Sequence, residues 1–161
     1  MSETDGFRVD DEWLGENKTG RMIKAARYAM GAVMVHLLVS ALHGASHGRL
    51  NVPLSSAQNL FIIIVIFLSP LIAALLLWKK QHLSGALLLL GSMAGSLAFG
   101  VYNHFVASSP DHVSHVAAAA SGMWVTVFQV TAALLAVVEA SGCLAGVWIL
   151  RLCPGASRLT T

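Results

Sequence analysis

Residues 60–78, LFIIIVIFLSPLIAALLLW, form an apolar run without one charged side chain. That length matches the ~20 residues with which a helix crosses the ~30 Å hydrocarbon layer of a bilayer. Such a run constrains the rest of the chain, because a helix apolar on every side needs lipid around it or a much larger protein. The chain has 161 residues, of which 56% are hydrophobic and 11% charged. A soluble domain carries about a quarter charged residues. The deficit matters because a water-facing surface requires charge and a lipid-facing one excludes it.

Three further apolar stretches complete an all-α, four-helix integral membrane bundle. The spans are expected at about 24–47, 57–78, 83–107 and 123–150, within a membrane domain of residues 23–151. Residues 1–22 read as an acidic N-terminal tail and residues 152–161 as a polar C-terminal one. The apolar pattern begins only near Ala25 and follows an acidic start, so the first span reads as a retained anchor, not a cleaved signal. Ser55 or Ser56 is suited to cap the second span. Pro70 lacks a backbone donor and should kink that span near Ser69. Ser109, Pro110 and Asp111 read as N-cap and first turn of a short interfacial helix that breaks near Gly122 before the last span. Gly91 with Gly95, and Gly142 with Gly146, form GxxxG spacings that let helix backbones approach in lipid, without naming partners.

Four crossings bring both termini to one side. On that side lie nine of the ten basic residues, including Arg8, Lys18, Lys79, Lys80 and Arg151, and only Arg49 lies opposite. The positive-inside rule therefore puts both termini and the KKQH turn in the cytoplasm, across an inner (cell) membrane. Trp78, Trp148 and Tyr28 fall at the inner interface, Trp124 and Tyr102 at the outer one.

This orientation sorts the seven histidines. His43, His47, His104, His112 and His115 collect at the outer end, His82 lies in the inner turn, and His36 near mid-membrane. His36, His43 and His47 fall within ~20° of one helical stripe at 100° per residue, with Ser40 beside it. Two histidines at i, i+4 can share a metal, and imidazole suits copper, zinc and iron. His104, His112 or His115 would add ligands, with Asp111 as a further ligand, as an acceptor for an imidazole N–H, or as the residue that orients His115. Haem b held by His43 or His47 with His104 is the alternative cofactor.

Glu139 is the only acidic residue inside a span. Counted from Arg151 it lies ~18 Å up the fourth helix, and His36, counted from Arg27, lies ~14 Å up the first. A buried ionisable group seeks a partner, so these two are expected to meet, with Gln129 or Ser141 as further partners of the carboxyl.

Three readings stay open at this level: a metalloprotein for redox or metal handling, a haem protein, or an accessory or assembly subunit of a larger membrane complex or homo-oligomer. A di-iron carboxylate site needs about four carboxylates, and the spans hold one. Phosphate-binding glycine loops and HExxH are absent. The basic residues hug one membrane face, where they meet anionic lipid and not nucleic acid. Cys143 and Cys153 have no CxxC spacing and read as small apolar residues.

Overall fold

The computed structural model of the protein describes residues 4–153, with side chains from residue 17 onward. Six α-helices follow one another: α1 Thr4–Leu50, α2 Ser56–Phe61, α3 Ser69–Trp78, α4 His82–Val101, α5 Val113–Ala119 and α6 Met123–Leu152. Two π-helical segments, Ile62–Leu68 and Tyr102–Val106, join α2 to α3 and extend α4. No strand occurs among the described residues. Four helical spans are long and apolar enough to cross a membrane: Asn17–Leu50, Ser56–Trp78, His82–Val106 and Met123–Leu152. The first packs on the fourth, the fourth on the third, the third on the second, and the second returns to the first. Short connections make each neighbour antiparallel, an up-down-up-down bundle.

The outside of this bundle is apolar. Leu38, Ile63, Val137 and Leu144 are 73%, 60%, 67% and 71% exposed, a contiguous hydrophobic surface far beyond what a soluble monomer shows. At the end bearing the termini the interior is apolar too, with Ala25, Ala29, Val33, Leu77, Leu89, Met93 and Ile149 packed together. Most of the polar interior lies in the other half, where His36, Ser40, His43, Ser46 and His47 all face inward from α1. That matches the stripe drawn from helical spacing.

Local chemistry accounts for the helix ends. Ser55 caps α2 in a reciprocal box: its Oγ accepts from the Gln58 backbone N–H, and Gln58 Oε1 accepts from the Ser55 N–H. Asn51 and Lys80 take positive φ values of 51° and 61°. Each lets the next N–H reach back to a carbonyl in the last turn, Val52 to His47 and Gln81 to Leu76, the Schellman closure. The first helix continues back to Thr4, past the position near 24 where the apolar pattern starts. Extending an existing helix avoids the nucleation cost, so a polar segment joins it. The α6 helix includes Leu152, Cys153 caps it, and the expected C-terminal tail from residue 154 onward lies outside the described residues.

The disturbance at Pro70 takes the form of a widened turn. Its ring crowds the carbonyl of Ile66 and it offers that carbonyl no N–H. The preceding turn opens into the π segment Ile62–Leu68, and the Ser69 N–H and Oγ both donate to Ile64. Gly146 lies where a Cβ would stand 3.1 Å from Leu90 Cβ and 3.3 Å from the Ala86 carbonyl oxygen, and at Gly142 a Cβ would meet Met93 at 2.7 Å. The GxxxG of the fourth span is thus its seam with the third. A Cβ at Gly95 would meet Val65 of the second span at 3.4 Å, and one at Gly91 would meet nothing within 4 Å.

The connection before the last span differs from the expected one. Residues Ser109 to Asp111 form a turn, and α5 begins at Val113 with His112 as its N-cap, accepting through its side chain from the Ser114 N–H. Ser109 Oγ instead accepts from the Asp111 N–H and donates to the Asn103 carbonyl. This turn carries Asp111 into the bundle, where it is 3% exposed. The expected break falls at Gly122, whose φ of 105° only glycine adopts without strain.

Candidate metal centre

His43 and His47 lie one turn apart on the inward stripe of α1. His104 reaches them from the π segment Tyr102–Val106, in which the Ala107 N–H returns to the Tyr102 carbonyl five residues back. Asn103 Nδ2 donates to the Phe99 carbonyl at 2.9 Å, so a side chain enters the backbone ladder and locally widens it. His43, His47 and His104 are buried, and one nitrogen from each falls within 4.8 Å of the others. A fully buried Phe128 from α6 touches all three rings at centroid distances of 4.8, 5.1 and 5.5 Å.

Hydrogen bonds around the trio bear on which nitrogen faces inward. The Thr131 hydroxyl stands within hydrogen-bond reach of the carbonyls of Val127 and Phe128 and, at 2.8 Å, of His43 Nδ1. With its one hydrogen given to its own helix, it accepts from His43 Nδ1. His104 Nδ1 donates to the Asp111 carbonyl at 3.0 Å. With both rings neutral and hydrogens on their Nδ1 atoms, two Nε2 lone pairs face each other 3.2 Å apart, a contact that a proton or a metal ion between them relieves. Tetrahedral coordination with metal–nitrogen bonds of ~2.0 Å separates ligand nitrogens by ~3.3 Å, close to the spacing observed.

His47 completes the set through its other face. Its Nε2 lies 3.2 Å from Asp111 Oδ1, and its Nδ1 is buried without a hydrogen-bond partner. Asp111 Oδ1 also lies 3.3 Å from His104 Nδ1. That Oδ1 makes no hydrogen bond with either ring, and it is the Asp111 backbone carbonyl that accepts from His104 Nδ1. The carboxylate thus lies beside the trio as a nearby negative charge. It does not orient His115, whose Nδ1 donates to the Ser109 carbonyl at 2.7 Å. His112 and His115 meet as tilted rings at a centroid distance of 5.3 Å, and neither joins the trio.

A cavity of about 240 Å³ opens beside the three histidines and runs inward to Glu139 between apolar walls that include Ile66, Phe99 and Leu135. At its far end His36 Nδ1 lies 3.7 Å from Glu139 Oε1, the contact expected from their depths, with both groups buried. His36 Nε2 donates to the Ile66 carbonyl at 3.0 Å, the carbonyl that Pro70 leaves without its α-helical donor. Neither suggested helper joins: Gln129 Nε2 reaches the Val113 carbonyl, and Ser141 donates to Val138. Ser96 lines the same cavity as Glu139.

Thr131 and Phe128 were not singled out from sequence. Thr131 is a lone hydroxyl ~two turns above Glu139 on a helix whose buried face Glu139 already marks, and that was the available signal. Phe128 looks like any apolar residue of a span. No family model matches this chain, and no curated protein or solved structure resembles it.

Proposed function

We propose that this chain is a membrane metalloprotein that binds one first-row transition ion, copper, zinc or iron, at His43, His47 and His104, and uses it in redox or metal-handling chemistry at the outer membrane face. The carrying observation is the convergence of three buried imidazoles from two spans, with the Nε2 atoms of His43 and His104 3.2 Å apart. That spacing suits two ligands of one ion. Asp111 supplies the compensating negative charge. Three nitrogen ligands, not four, are the pattern of sites that keep a position for an exchangeable molecule, and the adjoining cavity offers it room.

The spacing favours a bare ion over haem b. Two axial imidazoles stand on opposite faces of a macrocycle, whereas these rings converge above Phe128. The distribution of basic residues supports a chain with both termini cytoplasmic, so the metal end faces outward. A role within a larger complex or homo-oligomer is compatible with the same site.

Elemental analysis of the detergent-purified protein, with its absorption spectrum, tests the reading. About one ion per chain is expected, absent from a variant carrying both His43→Ala and His47→Ala. A folded, monodisperse protein that takes up no copper, zinc or iron would refute it, as would a Soret band.

A further inference from the structure

At the opposite end of the bundle a second cavity, of about 440 Å³, lies between the first span and the turn joining the second and third. Its rim carries three cations, Lys18, Arg27 and Lys80, and among the described residues no acidic one lines it. Trp78, 73% exposed, stands at the edge, and the floor is apolar, with Met22, Met30 and Leu77. His82 lines the same cavity, and its Nδ1 is buried with no hydrogen-bond partner. The metal site uses none of these residues.

A cationic rim over an apolar floor, at the end of a membrane-spanning bundle, matches a molecule with an anionic head and hydrocarbon tails. We propose that this cavity binds one anionic phospholipid, its phosphate among Lys18, Arg27, Lys80 and His82 and an acyl chain along the groove between the first and second spans. The His82 ring, which lines the cavity, would donate to a phosphate oxygen. Trp78 at the edge suits the headgroup level, where amphipathic rings settle. The chain's own C-terminal segment is a poor occupant: after Cys153 its only charged side chain is Arg158, of the same sign as the rim.

Native mass spectrometry of the full chain released from nanodiscs tests the proposal. Discs of phosphatidylcholine containing phosphatidylglycerol are compared with discs of phosphatidylcholine alone. One retained phosphatidylglycerol per chain is expected, with no comparable phosphatidylcholine adduct. Each rim charge removed should weaken retention roughly fivefold, so Lys18→Gln, Arg27→Gln and Lys80→Gln together should abolish it. His82→Phe should weaken it with all charges intact. Unchanged helical circular dichroism and elution volume show that the variants remain folded. Equal retention of both lipids, retention unaffected by the triple variant, displacement by millimolar inorganic phosphate, or a dimer in place of the lipid adduct would overturn it. Metal content enters none of these readouts, so this proposal and the metal reading fail separately.

Discussion

Replacing Thr131 by valine keeps the volume of the side chain and removes only the oxygen that accepts from His43 Nδ1 at 2.8 Å. Thr131 is 3% exposed, so no water takes its place easily. Without that acceptor the His43 ring has no reason to keep its hydrogen on Nδ1, and the alternative tautomer points N–H, not a lone pair, at His104. Loss of an outer partner of a ligating histidine costs about 10–100-fold in metal affinity, equivalent to about 1.4–2.8 kcal/mol. Competition with a chromophoric chelator in detergent, against wild type and His43→Ala, reads this directly. The expected order places Thr131→Val between them, and Thr131→Ser should restore most of the loss. The reasoning is refuted if Thr131→Val binds metal as tightly as wild type while its thermal stability falls, since Thr131 would then be a packing residue alone.

Three other outcomes are expected. His36→Leu removes the donor to Ile66 and the neighbour of Glu139 and should destabilise the bundle by about 1–3 kcal/mol. Pro70→Ala restores a backbone donor for Ile66, so the double variant should be less impaired than the sum of the two by about 1 kcal/mol, and additivity in reversible detergent unfolding would contradict the role given to His36. Gly146→Ala should cost about 1–3 kcal/mol because backbone of the third span blocks its Cβ; Gly142→Ala should cost less because Met93 is flexible, and Gly91→Ala should be neutral or stabilising by up to about 1 kcal/mol. Replacing His112 and His115 together by alanine should leave the number of bound ions unchanged, and a lost ion would bring them into the site.

Hydropathy and helical periodicity made much of this molecule legible. They gave the four apolar segments, the inward stripe of His36, Ser40, His43 and His47, the approach of His104 and the depth match of His36 with Glu139. Each follows from where a residue lies along a regular helix. What escaped depends on irregular or long-range structure. The start of α5 shifted because Ser109 found the Asn103 carbonyl and Asp111 found two histidines, tertiary partners that outweigh a local cap. Thr131 was hidden because its importance lies in a hydroxyl already spoken for by its own helix, which leaves it one lone-pair direction for His43. The widened turn at Tyr102–Val106 arises from Asn103 bonding back to Phe99, a competition between side chain and backbone that composition does not announce.

That widened turn makes the third span sensitive to length in a way its hydrophobicity conceals. A π turn accommodates one residue more than the α ladder around it, and a single residue corresponds to ~100° of rotation about the axis. Deleting one residue between Tyr102 and Val106 would leave a segment just as greasy and just as able to insert. It would also swing the imidazole of the third span away from its two companions. Chain length at this one place, more than the choice of side chains, sets whether three imidazoles share a point.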